Sequence, residues 1–421
     1  MRTRQRKLAA VLAAAAISGL GAPLAAAPAS AAVLPKVAFT AQAYGTQVNI
    51  GGVVRSGPTA LSSIGCTTAA PRSTSAAITS ANLPVVGSVG AVTTAARTSQ
   101  SLSSKTSFSS AKVKGVNLLG GLVRADALST SSSASVNGAR QYTGGNSAVL
   151  TNLVISGRPV SATAGPNTRI RVGAAGQTPF ATAVVNKQER VNSNGEFRVA
   201  TAAVTVIIDG SNSLGLPIGS RIDVAQSRAN LSAPVTGLVG GKGYATSAST
   251  LEGRVVSSPT ALVYARCTSG DGASNVAGVT LAGLLSTGTT QTTSKSTATS
   301  TSRSVTVKNT IASPKVLLGL ISASAVTAET SVSQTGSLAP VVRDSSRFLA
   351  LKVAGFPAIN DTVRPNTVVT IPQLGKVTFH KVTKSSTSIE VVMIEVVLNK
   401  SVGSLPTGSV VRIGYSNSKL A

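Results

Sequence analysis

The sequence predicts an all-β protein. Three observations carry this: apolar residues alternate with a period of two, few segments show a 3.6-residue apolar stripe, and Gly, Pro and Asp-Gly turn signals punctuate the chain. A sandwich for each of two tandem copies is the expected architecture, with a β-solenoid as the lesser alternative. Charged residues make up only 12% of the 421 residues. With a mean hydropathy of +0.28, the chain is too apolar and too weakly charged to belong to the disordered proteins.

The elements follow in chain order. Arg2, Arg4, Arg6 and Lys7 form a basic start, Leu8 to Leu20 is an Ala/Leu-rich stretch, and Ala29-Ser30-Ala31 supplies small residues for cleavage. Residues 1–32 therefore read as a secretory signal peptide. No two arginines are adjacent, which argues against twin-arginine export. No apolar run of about 18 residues follows, so no membrane span is expected in the mature chain.

The rest contains a duplication. Pro58-Thr59-Ala60-Leu61 and Cys66-Thr67 recur, equally spaced, as Pro259-Thr260-Ala261-Leu262 and Cys267-Thr268. Gly121-Leu122-Val123 matches Gly319-Leu320-Ile321, and Pro166-Asn167-Thr168 matches Pro365-Asn366-Thr367, after which Phe180 aligns with Phe379. Leu216-Pro217-x-Gly219-Ser220 matches Leu405-Pro406-x-Gly408-Ser409. Landmarks in one order define two copies of a domain. They are placed at 33–231 and 240–421, with 232–239 as a linker.

Within the first copy, Thr98 to Ser110 is Ser/Thr-rich and reads as a loop or a half-exposed strand. From Phe197 to Ile208, one strand face would carry Ala200, Ala202, Val204, Val206 and Ile208. Asp209-Gly210 then supplies a turn, and Arg221 to Val224 resumes alternation, so each copy ends in a hairpin. In the second copy, Thr287 to Thr306 repeats the Ser/Thr ambiguity, and the alternation of Ser304 to Lys308 gives a half-exposed strand at least equal standing with a loop. Ile389 to Leu398 is a β-branched run suited to a strand covered on both sides.

Tyr44-Gly45, Val53-Val54-Arg55-Ser56-Gly57-Pro58-Thr59, Gly65-Cys66-Thr67 and Leu118-Leu119-Gly120-Gly121-Leu122-Val123-x-Ala125-Asp126-Ala127 resemble the motifs of the actinobacterial choice-of-anchor P family. The resemblance covers most of the first copy and, in degraded form, the second. It implies a secreted surface protein of a Gram-positive actinobacterium, with attachment devices that vary among members. It supplies no catalytic or binding residues. No anchor is expected here: Leu405-Pro406-Thr407-Gly408 lacks the spacer of a sortase signal, and its counterpart Leu216-Pro217-Ile218-Gly219 lies mid-chain, as suits a shared structural turn.

Enzymatic chemistry finds little to work with. His380 is the only imidazole and thus the only base for a serine triad; in the Phe180–Phe379 register its counterpart is Ala181. Glu390 and Glu395 could form a glycosidase pair, but their odd spacing on a strand would put them on opposite faces. The chain has no Trp and five Tyr, which is poor material for stacking sugars. One His and two Cys cannot assemble a multidentate metal site, so no metal and no cofactor is expected. The expectation is a protein that is not an enzyme. The alternative is a secreted enzyme or inhibitor with a loop-borne site, which a pocket lined by Asp344, Asp361 or Glu390 would favour; a flat basic surface would favour the first reading.

Each copy contributes one cysteine, at equivalent positions. Cys66 and Cys267 are either bonded across a pseudo-twofold axis, separately buried as thiols, or used between molecules.

The 38 Lys and Arg against 12 Asp and Glu give a formal charge of +26, or about +22 after loss of the leader. The charge divides almost evenly between the copies. There is no basic run of five, no interleaved aromatic platform and no reader motif, so specific nucleic-acid recognition is not expected. A diffuse cationic surface that meets anionic cell-wall polymers is the expected partner chemistry. The resulting expectation is a secreted, extracellular structural or adhesive protein associated with the cell envelope.

Overall fold

The computed structural model describes residues 34–420 apart from 51–52, 84, 194, 233–236, 250–254, 258, 282–283 and 403–404. The expected leader lies outside these residues, as do residues 233–236 of the expected linker. The described chain is all-β, with one short 3₁₀ turn at Leu119–Gly121 and no α-helix. Its five sheets are antiparallel throughout. The parallel ladder of a β-solenoid is absent among the described residues.

Each half begins and ends in one seven-stranded sheet. In the first half the strands run Thr168–Val172, Ala181–Ser193, Glu196–Ile208, Arg221–Ser232, Ala38–Ile50, Val53–Ser56, with Ser62–Thr67 also on Ala38–Ile50. In the second they run Thr367–Ile371, Gly375–Lys384, Ser388–Leu398, Val410–Leu420, Val239–Ser249, Val255–Ser257, with Val263–Tyr264 in the corresponding place. The strand order is the same.

A second layer covers each sheet. In the first half it is one nine-stranded sheet built on two long strands, Ser104–Leu118 and Val123–Asn137. In the second half the same layer is two sheets, because each long strand is interrupted: Ser302–Ala312 gives way to Lys315–Val316, and Ile321–Ser322 to Ala325–Thr335. Pro314 stands in the first interruption. It has no N–H to give a ladder. The Ser/Thr-rich stretches are strands, Val92–Gln100 with Ser104–Leu118 and Thr290–Ala298 with Ser302–Ala312. Alternate hydroxyls of this layer are buried against the other: Ser107 Oγ donates to Thr40 O at 2.7 Å, and on the neighbouring strands Ser132 Oγ lies 2.9 Å from Ser227 Oγ and Thr330 Oγ1 2.7 Å from Ser416 Oγ.

The hydrophobic clusters of the two halves are separate. One draws only on residues from Val239 to Leu420, and two others only on residues from Val37 to Leu231. The single mixed cluster is small: Ala38, Cys66, Leu238 and Cys267.

A line of kinks crosses each seven-stranded sheet, and it overturns the uninterrupted alternation expected for Phe197 to Ile208. Pairing skips Gly45, Asn186, Ala203 and Ala225 in the first half, and Ala245, His380, Met393 and Gly414 in the second. Ala225 and Gly414 have φ of 50° and 66°. A left-handed residue in a strand reverses the pleat, so the face turned to the core changes there. Ile222 and Val224 face the core before Ala225, whereas Ala229 and Leu231 do so after it. Likewise Phe197 and Val199 face the core at one end of their strand, and Val204, Val206 and Ile208 at the other. Ala200 and Ala202 thus leave the face on which alternation had put them.

The repeated Pro-Thr-Ala motif seals this line. Thr59 accepts the Gly45 N–H at its carbonyl and the Thr46 N–H at its hydroxyl, both at 2.8 Å. Thr260 does the same for Ala245, at 2.8 Å, and Thr246, at 3.2 Å. The Leu-Pro-x-Gly segments are matching turns, in which Gly219 N donates to Ile208 O and Gly408 N to Leu398 O at 2.8 Å.

The kinks also correct two sequence registers. Asn167 N donates to Asn186 O, and Asn366 N to His380 O, both at 2.9 Å. The counterpart of His380 is therefore Asn186, not Ala181, and Phe379 takes the place of Val185. Glu390 and Glu395, separated by the kink at Met393, share the face away from the core rather than opposite faces.

Glu395 is buried and bonded to Lys381 Nζ at 2.6 Å and Arg412 Nε at 2.8 Å. Burial pushes its carboxyl up, but the two cations pull it further down, and the net shift is below the ordinary range. A depressed carboxyl contributes stability that is present above the unfolded value, about 4.3, and lost as pH falls through the folded one. The second half should therefore melt at a lower temperature at pH 3 than at pH 6. Glu395→Gln should flatten that difference, as differential scanning calorimetry of both proteins will show.

Candidate functional site

The halves meet where the kinks have turned polar side chains outward. Along Arg221–Ser232, Gln226, Arg228 and Asn230 face away from the core; along Val410–Leu420, Tyr415, Asn417 and Lys419 do so. These two faces, with Gln42, Tyr44 and Arg198 from the first half and Lys242, Arg266 and Glu390 from the second, line a cleft of about 800 Å³.

A disulfide stands at the cleft. Cys66 is bonded to Cys267, with Cα atoms 5.2 Å apart and a sequence separation of 201. No described cysteine is free. The adjoining contact has the same spacing: Ser63 Oγ lies 2.7 Å from Tyr264 Oη. Equivalent positions of the two halves thus touch each other, as on an isologous interface. Arg266 Nη1 adds an ion pair to Glu196 at 3.9 Å. A disulfide of this kind persists in an oxidising compartment. Among the described residues no helix is long and apolar enough to cross a membrane.

The two walls differ. In the second half, Tyr244 and Tyr415 stack with centroids 4.4 Å apart, and Tyr415 Oη donates to Glu390 Oε2 at 2.6 Å. Lys242 Nζ lies 5.3 Å from the Tyr415 centroid. Burial pushes the Tyr415 phenol well above its usual range, and Glu390 pushes it further, so it remains a donor at neutral pH. Burial also lowers the Lys242 ammonium; Glu390 opposes this, while Arg412 and Lys419 add to it. In the first half Tyr44 donates to Gln226. Its phenol is raised by burial and by Asp223.

Arg228 is an uncommitted cation of the cleft. Among the described residues it forms no ion pair, and its buried Nε has no hydrogen-bond partner. Asn230 Oδ1 and Arg198 Nε share that condition. By contrast, Arg198 Nη2 binds Glu189 at 2.7 Å and Nη1 lies 3.6 Å from Glu196.

The candidate enzymatic groups do not converge. His380 Nε2 lies 2.8 Å from Asp344 Oδ2, and no hydroxyl bonds this imidazole among the described residues. Asp361 accepts the backbone N–H groups of Ala350 and Leu351, at 2.9 and 2.6 Å. Neither Asp344 nor Asp361 lines the cleft, whereas Glu390 does. Glu390 and Glu395 share a face but answer to different partners, Tyr415 in one case and Lys381 with Arg412 in the other. Among the described residues, no three His, Cys, Asp or Glu side chains group together.

Sequence reasoning found the cysteines and missed the cleft. Its signal was present: Gln226, Arg228 and Asn230 alternate with the apolar Ala229 and Leu231 out of phase with Ile222 and Val224. Fold and site define a class, a pair of antiparallel two-layer halves clamped by one disulfide. No family model, no curated protein and no solved structure matches the chain.

Proposed function

We propose that this is a non-catalytic, secreted structural or adhesive protein of the cell envelope, held to anionic wall polymers by its cationic surface. The exposed cations carry this reading. Lys112, Lys114, Arg124 and Arg158 in the first half, and Lys315, Lys352 and Lys376 in the second, are exposed and lack an ion pair among the described residues. Spread over both halves, they suit many weak, screened contacts better than one docking point. The signal-like leader, the disulfide and the resemblance to choice-of-anchor P proteins agree with export to an actinobacterial surface.

The test is partitioning between isolated cell walls and buffer. Sedimentation with walls at low salt, followed by release as the Debye length falls from about 10 Å at 0.1 M to about 3 Å at 1 M, is the expected outcome. Unchanged partitioning across that range would refute the reading. A secreted enzyme or inhibitor is the second reading, favoured by the placement of Glu390 in the cleft. It requires a released or modified substrate, and hydrolysis of wall polymer that disappears in Glu390→Gln would establish it over the first.

A further inference from the structure

We propose that the cleft between the two sheet faces is a discrete binding site for an anionic group, phosphate or carboxylate, carried on a hydroxylated chain. This goes beyond the diffuse coat, which needs no particular residue. The volume, about 800 Å³, falls in the range of about 300–1,000 Å³ typical of ligand sites, which favour boundaries between structural units.

Charge gives the sign of the ligand. The cleft is lined by Arg198, Arg228, Lys242, Arg266 and Lys419 against Glu196, Asp271 and Glu390. Two of these three carboxylates are already engaged, since Glu196 lies between Arg198 and Arg266 and Glu390 accepts the Tyr415 hydroxyl, while the third, Asp271, is exposed to solvent. Arg228 and Lys242 form no ion pair with a carboxylate among the described residues, and both line the cleft, one from each half. An anion between them would give Arg228 a partner for its buried Nε and would relieve the repulsion that Lys242 feels from Arg412 and Lys419.

Hydrogen-bonding groups give the rest of the ligand. Asn230 Oδ1 is a buried acceptor with no donor among the described residues, two residues along the strand from Arg228 on the same face. A hydroxyl adjacent to the anionic group satisfies it. Tyr415 is already stacked on Tyr244 and approached by Lys242 Nζ, which disfavours it as a platform for a base and favours a polyol or sugar over a nucleotide.

The test is isothermal titration of the full secreted chain with three oligomers of similar length: glycerol phosphate, galacturonate and a neutral dextran. Saturable binding of one or both anionic oligomers, and none of dextran, is expected; which of the two binds identifies phosphate or carboxylate as the source. Arg228→Gln with Lys242→Gln should weaken binding at least tenfold. Lys112→Gln with Arg124→Gln removes the same charge from the far sheet and should change it less than twofold. Asn230→Ala, which alters no charge, should cost about threefold and guards against misfolding of the double variant. Equal losses in the two double variants, equal binding of dextran, or no saturable binding of any oligomer overturns the proposal. The diffuse coat is judged separately by wall partitioning. A cleft variant that loses oligomer binding yet keeps salt-dependent retention upholds both readings.

Discussion

Cys66→Ala with Cys267→Ala is expected to lower the stability of the first half by about 5 kcal/mol and that of the second by about 4 kcal/mol, on the loop-entropy scale. The argument rests on two topological facts. The halves have separate cores, so each can unfold while the other stays folded. When the first half unfolds, the disulfide still ties residue 66 to the folded second half, and the closed loop includes residues 67–232. When the second half unfolds, the loop closed against the folded first half runs only from the connection near Val239 to Cys267. The longer loop restrains its unfolded chain more, hence the ordering. The halves should also lose their mutual orientation, because the buried apolar cluster they share among the described residues consists of Ala38, Leu238 and the cysteines themselves. Calorimetry of the oxidised and cysteine-free proteins measures the first effect, and small-angle scattering shows the second as a larger radius of gyration. A cysteine-free protein that melts and scatters like the parent would show that the halves are held by something other than the disulfide. The cleft would then owe nothing to it. If the disulfide does hold the walls together, anion binding should fall with it at least tenfold.

The β class was legible because half-buried strands leave a period-two trace that turns do not erase. Ser104–Leu118 and Ser302–Ala312 show how far that trace reaches, since even Ser/Thr-rich strands bury every second residue. The cleft was not legible for the same reason. Alternation alone assigns one face to a whole strand, and Ala225 gives no hint of its φ of 50°. Gly414 at the equivalent kink is the clue, since glycine adopts that conformation without a steric penalty. A glycine in one half opposite an alanine in the other, between two phases of apolar alternation, marks the reversal. His380 illustrates the cost of missing it. Aligned by flanking phenylalanines it matched Ala181, but the backbone puts it with Asn186, and both have φ near 50°. The disulfide depended on a different kind of information. Equal spacing after Pro-Thr-Ala-Leu made the cysteines equivalent, yet only the way the halves pack decides whether equivalent residues meet.

Phe379→Ala should destabilise the second half by about 3–5 kcal/mol and leave the first unchanged. Phe379 is fully buried and meets Phe348 edge to face at 6.3 Å, joining its sheet to the strand Arg347–Leu349 of the covering layer. Truncation removes that contact and leaves a cavity among branched side chains that cannot collapse onto it without shifting both layers. For a unit of this size the loss corresponds to a fall in melting temperature of roughly 6–20 °C. Because no residue of the first core belongs to the same cluster, calorimetry should show one transition moved and one in place. Two transitions that move together would mean that the small cluster at the disulfide couples the halves energetically. In that case the walls of the cleft form one cooperative unit, and a ligand bound to both would stabilise the whole chain. If the transitions stay separate, an anion bridging Arg228 and Lys242 should couple them. The stability conferred by mass action then depends on both walls being folded at once, so the lower transition would rise toward the upper one as the oligomer concentration rises.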